Sequence, residues 1–242
     1  MSHSTRFARE NDRAAAVVVS RQPILDNVER IVGFELLTPP GAHPHEAAAG
    51  VLSQAIADIG LLKLVGDRPA HVDVTREFLL LVSPLPLDPE RVVLEIEADE
   101  HMDDELLTVL REIRSAGFRI ALDGFRDGIG DEALLDLADS VKIDVRDRSE
   151  KQIETDLNAA RGRGLDVIAY GVPTRAVYGF CRRLGFDAFQ GQYFAEPVIV
   201  TGTSVPTYRF RALSMLAAGE ATSFEQLERV ISEDPGLSLK LV

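Results

Sequence analysis

The chain has 242 residues, of which 39 are acidic and 26 basic, for a net charge of -13. A surface that negative repels phosphate backbones and anionic lipids, which argues against general nucleic-acid binding and membrane-surface attachment but leaves room for a local basic pocket. Hydrophobic residues at 45% describe a folded globular chain, the single cysteine (Cys181) excludes an internal disulfide and fits a reducing cytoplasm, and no apolar run reaches the roughly 18 residues of a membrane span.

Residues 1–14 are polar and mixed in charge, without the apolar core of a signal peptide, and are expected to form a disordered leader. Two short apolar runs follow, at residues 15–19 and 31–37. The stretch 22–30 between them holds Pro23, Asp26 and Asn27, and predicts a hairpin with a long loop. Val51, Leu52, Ala55, Ile56 and Ile59 have helical spacing within residues 46–62.

Strand-like and helix-like segments then alternate. Short strands are expected at 71–74, 92–96, 118–122, 140–143, 166–169 and 188–189. Between them, residues 103–116 form an amphipathic helix with Leu106, Leu107, Leu110 and Ile113 on one face, and Gly117 stops it. A short helix covers 132–138. Ser149 and Gln152 have capping-box spacing, and Thr174 caps a helix bearing Val177, Phe180, Cys181 and Leu184. This alternation predicts a parallel α/β fold. Periodicity alone fits a doubly wound sheet as well as a barrel. No glycine-rich phosphate loop follows an early strand, which argues against an open nucleotide-binding sheet.

After Pro197 the pattern changes. Residues 198–206 read as a linker, followed by helical segments at 208–217 and from Ser223, where Ser223 and Gln226 repeat the capping-box spacing. Residues 205–242 are expected to begin a second domain that is truncated here, since so few helices bury no core of their own.

The polar residues of the strand-like segments gather at their C-terminal ends: Glu35, Asp73, Glu95, Asp123, Lys142 with Asp144, Tyr170 and Gln190. One such residue is ordinarily a helix cap or a solvated loop position. Several acids and a lysine converging on one mouth are costly without a purpose. In a parallel barrel that mouth is where active sites lie, and clustered carboxylates suit Mg2+, Mn2+ or Ca2+. The five histidines, among them His43, His45 and His101, lack metal-ligand spacing and are read as surface or structural residues. Cys181, on an apolar helical stripe, is read as a buried structural thiol.

In order and spacing, the segments SRQPILD, IVGFELL, VVLEIEAD, RIALDGF, SVKID, VIAYGV and FQGQYFAEP resemble the EAL domains that hydrolyse cyclic di-GMP, over roughly residues 17–200. The resemblance implies a modified (β/α)8 TIM-type barrel over about 15–200 whose first strand runs antiparallel. The tail from about residue 205, with LERVISEDPGLSLKLV, resembles the beginning of an HDOD domain, an arrangement recurrent in bacterial signal transduction. In that family two divalent ions share carboxylates and activate a water for in-line attack on a phosphodiester. By motif, Glu35 matches the acid of Glu-Ala-Leu, Glu95 a ligand in a LEITE-like strand, Asp123 the first acid of DDFG, Lys142 the lysine of KID, Gln190 the glutamine of QGY, and Gln22 a ligand-contacting position.

The departures from that pattern carry equal information. Glu-Ala-Leu is Glu35-Leu36-Leu37 here, and Thr38 and Pro39 stand where a phosphate-contacting arginine is expected. Asp73 replaces an asparagine ligand. Gly124 replaces the second acid of DDFG, Arg126 and Asp127 break the following FGTG, and Tyr170 and Pro173 replace the two glutamates of AEGVE. The expectation is therefore a degenerate site. Glu35 and Lys142 are vestigial catalytic residues, Gln22 and Gln190 weak ligand contacts, and Glu35, Asp73, Glu95 and Asp123 a set that holds Mg2+ or Mn2+ weakly, with no cofactor required. The implied role is a cytoplasmic, non-catalytic protein-interaction or sensing platform coupled to the HDOD-like segment, with protein partners and a homodimer compatible with the family. The alternatives are a divergent active cyclic di-GMP phosphodiesterase and a receptor that binds cyclic di-GMP without cutting it; Thr38 argues against tight binding of that ligand.

Overall fold

The computed structural model describes residues 16–37, 60–82, 85 and 87–203. The leader at 1–14, the helical pattern up to residue 59 and the HDOD-like tail at 205–242 lie outside the described residues.

Eight strands close into a barrel: β1 (Ala16–Asp26), β2 (Ile31–Leu37), β3 (Ala70–Asp73), β4 (Val92–Glu97), β5 (Arg119–Asp123), β6 (Ser140–Asp144), β7 (Asp166–Tyr170) and β8 (Ala188–Phe189). From β2 to β8 each strand pairs in parallel with the next. β1 runs antiparallel to both β2 and β8 and closes the ring. Closure decides between the two architectures that periodicity left open.

Two stretches differ from the sequence reading. β1 continues through Pro23 to Asp26, so the residues taken for a long loop are mostly strand. Proline fits there because β1 changes partners around it. On one side β1 pairs with a ninth strand up to Arg21 and with β8 only from Leu25, leaving Pro23 opposite no ladder partner on that side. The true turn is short. Asp26 Oδ1 accepts from the amides of Val28 and Arg30, both at 2.9 Å, and Glu29 takes a left-handed φ of 62°. The second stretch is the supposed linker: Val198–Thr203 is β9, antiparallel to the first half of β1. Its β-branched residues fit a strand, and the free edge of β1 supplies the hydrogen bonds.

Described helices cover the outside: α1 (Leu61–Val65), α2 (Arg76–Val82), α3 (Asp104–Ser115), α4 (Glu132–Leu135), α5 (Glu150–Gly162) and α6 (Arg175–Leu184). α2 falls where the apolar pattern predicts no element, and α4 stops at Leu135, short of the expected residue 138. The caps are as read. Asp103 accepts from Leu106 N, Ser149 and Gln152 form a reciprocal capping box, and Thr174 accepts from Val177 N. Leu106, Leu110 and Ile113 of α3 pack against the outward strand residues Leu94, Ile120 and Leu122 in one core. Cys181 is fully buried there, and burial pushes its thiol up to about 12.

Side chains alternate across each strand. Ile24, Val93, Ala121 and Ile168 are buried yet stand apart from the outer core. They share the parity of the strand-end polar residues and fill the barrel beneath the mouth.

Gly191 follows β8 where the chain crosses the backbone of Val172. A Cβ there would lie 2.3 Å from both Val172 N and Val172 O. Backbone cannot yield as a flexible side chain does. Gly191→Ala is therefore expected to cost ~3 kcal/mol or more by overpacking. Urea unfolding checks this, and a variant as stable as the parent would contradict the geometry.

Candidate functional site

Strand register assembles the site. Glu35 on β2 lies level with His71 on β3, Asp73 with Glu95 on β4, Glu97 with Asp123 on β5, and Asp144 on β6 with Tyr170 on β7. All lie at or near C-terminal strand ends, so the acids scattered over 89 positions from Glu35 to Asp123 meet in one mouth.

Lys142, fully buried, is the centre. Its Nζ donates to Glu35 Oε1 at 3.0 Å and to Glu95 Oε2 at 2.7 Å, with Asp123 Oδ1 at 3.9 Å. Burial alone would lower the lysine's pKa. Glu95, Glu35, Asp123 and Asp73 outweigh it and hold the ammonium well above its usual range. For Glu35 burial is likewise the largest influence, yet Lys142 and the Gln190 hydrogen bond pull its pKa below normal. Glu35 is thus ionised at neutral pH. Glu95 goes the other way: burial, opposed by Lys142 and reinforced by Glu35 and Asp123, pushes it up to about 8.

A chain of amides fixes Glu35 from the other side. Gln190 Nε2 donates to Glu35 Oε2 and to Gln22 Oε1, the latter at 2.9 Å, and Gln22 Nε2 donates to Ala195 O at 2.9 Å. Gln190 Oε1 is buried without a protein partner. An acceptor left open beside three acids is ready for a water or a ligand donor.

Glu35, Asp73 and Glu95 each place an oxygen within 4.8 Å of the others, a spacing that fits one hard divalent ion. Asp123 stands at the rim, its side chain 24% exposed and outside that triad. The sequence-selected residues Gln22, Glu35, Asp73, Glu95, Asp123, Lys142 and Gln190 therefore converge, with three of the four acids forming the ion-sized group.

The β5 and β7 ends are different. Gly124 has a left-handed φ of 69° and brings no side chain. Tyr170 presents its ring: Lys142 Nζ lies 4.7 Å and Arg146 Cζ 5.2 Å from the ring centroid. Burial, then the Glu35 charge, raise its phenol pKa, so at neutral pH it offers no anionic oxygen.

One contributor escaped the sequence reading. His71 Nδ1 lies 2.8 Å from Glu95 Oε1, so Glu95 is held by His71 on one oxygen and Lys142 on the other. Burial and the Lys142 charge push the imidazole down to about 3, leaving it neutral. Metal-ligand spacing was the wrong signal to seek. The period of two in His71-Val72-Asp73 puts both polar residues on one strand face. Gly33 makes the space, since a Cβ there would meet His71 Cδ2 at 3.2 Å.

Asp73 yields a pH prediction. Burial, with Glu95 and Glu35 adding repulsion, pushes it from 3.8 up to about 8. A raised carboxyl pKa means the native state holds the proton more tightly than the unfolded chain. That stabilisation is complete below 3.8 and is lost as pH rises through about 8. Asp73 also reaches solvent at the mouth, which screens the effect. The thermal midpoint is expected to fall by a few degrees between pH 6 and 9, and Asp73→Asn to flatten that slope. A slope unchanged in the variant would assign it to other groups.

Comparison with known proteins points the same way. The family model described as EAL domain matches residues 62–197. YuxH of Bacillus subtilis (strain 168) is 27% identical over 240 residues, covering 93% of this chain and 59% of the relative. Cyclic di-GMP phosphodiesterase CdgJ of Vibrio cholerae serotype O1 is 26% identical over 245 residues, 96% of this chain and 56% of the relative. The chain thus spans less than two thirds of the length of these curated relatives. Among solved structures, the PaMucR phosphodiesterase in complex with c-di-GMP superposes with a TM-score of 0.62 at 21% identity, over 76% of this chain and 96% of that one. The EAL domain of Mycobacterium smegmatis DcpA gives a TM-score of 0.62 at 21% identity, over 76% and 93%. These likenesses establish the fold as the same TIM-type barrel.

Proposed function

The chain belongs to the EAL domain family, and from that premise we propose that its barrel is a non-catalytic module of cyclic di-GMP signalling, coupled to the HDOD-like segment at 205–242 and working through a protein partner. The observation that carries this reading is the lopsided mouth. Carboxylates converge at the ends of β2, β3 and β4, while β7 brings Tyr170 and the residue after β5 is Gly124.

A two-metal reaction needs both ions clamped about 3.5–4 Å apart around the attacking and leaving oxygens. Here Glu35, Asp73 and Glu95 would hold one ion, Mg2+ or Mn2+, which would supply Lewis-acid polarisation of a phosphoryl oxygen. Asp123 alone, already 3.9 Å from an ammonium, is a poor anchor for a second. Lys142 and His71 keep Glu95 engaged on both oxygens, so an ion must compete with hydrogen bonds already made.

A second reading, an active phosphodiesterase, draws on a different observation. The triad that holds a first ion is complete, Lys142 and Gln190 are in place, and a relative matched over 96% of this chain bears the name cyclic di-GMP phosphodiesterase. Two measurements separate the readings: hydrolysis of cyclic di-GMP with Mg2+ or Mn2+, and calorimetric titration of cyclic di-GMP in the presence of Ca2+. The module reading expects no hydrolysis and no tight binding. Binding without hydrolysis would make the barrel a receptor.

A further inference from the structure

Beside the mouth, the loops after β5 and β6 frame a cleft of about 390 Å3 walled by Arg126, Arg146, Arg148, Asp144, Asp147 and Gln152. Three guanidiniums in one cleft are unexpected on a chain of net charge -13. Their free donors matter more than their number. Arg146 is clamped by Asp144, through Nε at 3.0 Å and Nη2 at 2.7 Å, so Nη1 is open among the described contacts. Arg148 is anchored through Nη2 to Asp156, a carboxylate that is buried and also accepts from Asp127 N at 2.9 Å. Arg126 forms no ion pair among the described residues. Gly171 completes the setting: a Cβ there would lie 2.8 Å from Arg146 Nε, so only glycine lets this guanidinium lie against the chain beside Tyr170.

Arg126 lies two residues after Gly124 in the chain, and the Arg146 guanidinium reaches from the cleft to within 5.2 Å of the Tyr170 ring centroid. The lining carries three guanidiniums against two carboxylates, and one of those, Asp144, is already engaged by Arg146. That surplus favours an anion over a cation on this side of the mouth. Arg146 and Arg148, held by Asp144 and Asp156, are ordered before a ligand arrives, Arg126 brings a charge not spent on an ion pair among the described residues, and planar guanidinium forks match phosphate oxygens. We infer that this cleft binds a phosphate group, free or carried by a nucleotide, through Arg126 and Arg146 and without a metal ion. Beside Asp144, which Arg146 engages, Asp147, held at a φ of 50°, is the second carboxylate in the cleft and sets an upper limit on affinity.

The site stands whether or not the barrel hydrolyses anything, because its residues are separate from the Glu35, Asp73 and Glu95 group. The test is amide and arginine Nε–H NMR on the full 15N-labelled chain, at fixed ionic strength with EDTA present. Inorganic phosphate, GMP and cyclic di-GMP are titrated in separate arms. Saturable shifts at residues 126–128, 146–148 and 152 are expected, with Arg126→Gln raising the Kd roughly tenfold, as loss of one charge-assisted contact does. Asp147→Asn is expected to lower it several-fold. Saturation by inorganic phosphate identifies a free-anion site, and saturation by GMP or cyclic di-GMP alone identifies a nucleotide-borne phosphate. Shifts that sodium chloride reproduces, that need Mn2+, or that survive Arg126→Gln unchanged would overturn the proposal. Hydrolysis assays run with Mn2+ report on the other site, so the two readings fail independently.

Discussion

Purified protein incubated with cyclic di-GMP and Mg2+ or Mn2+ is expected to leave the dinucleotide intact. The reason is local. Among the described residues one ion-sized carboxylate group exists, at Glu35, Asp73 and Glu95, and the positions after β5 and at the end of β7 carry Gly124 and Tyr170. A metal ion contributes several kcal/mol of charge stabilisation to a phosphoryl transition state. Losing ~4 kcal/mol of that corresponds to about 10^3-fold in rate. Chromatography of the reaction products measures it directly. The expected inactivity does not come from instability, because Gly124 suits its left-handed φ and Tyr170 ends a regular strand. Restoring acids by Gly124→Asp and Tyr170→Glu is expected to raise affinity for Mn2+. The first change carries a strain of roughly 1 kcal/mol for an L residue in a left-handed conformation, with room for the side chain, since the nearest atom to its Cβ is Glu97 Oε2 at 3.8 Å. On the non-catalytic reading, turnover is expected to require further changes, including Thr38→Arg and a rebuilt loop after Phe125. Wild-type hydrolysis abolished by Glu35→Ala would refute the non-catalytic reading, and some other group would then be holding the second ion.

Replacing Lys142 by methionine is expected to destabilise the barrel by about 3–5 kcal/mol, the cost of stranding buried charge. The lysine is fully buried, and it is the counter-charge that Glu35 and Glu95 share at 3.0 and 2.7 Å. Methionine fills the space but leaves two carboxyls facing each other. A small domain has only about 5–15 kcal/mol to lose. The pH dependence gives a sharper signature than the loss itself. Without Lys142 the Glu95 pKa rises further and that of Glu35 is no longer held down, so the variant holds protons more tightly than its unfolded chain. Its stability recovers as pH falls through those raised values, and the gap to wild type is widest at alkaline pH. Urea titrations at pH 5.5 and 8 check both points. Adding Glu95→Gln to Lys142→Met is expected to recover part of the loss by removing one of the two stranded carboxyls. A Lys142→Met protein as stable as its parent at pH 8 would show that the buried ion group contributes nothing to folding.

Much of this was legible in the residues. Alternating apolar segments of strand and helix length fix an α/β chain, and the capping patterns at Asp103, Ser149 and Thr174 fix three helix starts because a cap is a local hydrogen bond. The strand-end polarity of Glu35, Asp73, Glu95, Asp123 and Lys142 picks out the mouth, since a parallel strand can present an unpaired polar group only where it leaves the core. What the sequence does not determine is anything that depends on which strands are neighbours. Pro23 reads as a breaker until β1 is seen to change partners beside it, and Val198–Thr203 reads as a linker until the open edge of β1 is there to pair with it. His71 looks incidental until parallel register sets it beside Glu35 and its ring reaches Glu95. Arg126, Arg146 and Arg148 look like ordinary surface charge until two loops fold together around one cleft. Local propensity and period are carried by adjacent residues, whereas closure, register and charge convergence are set by contacts between residues far apart in the chain, and only the tertiary structure decides those.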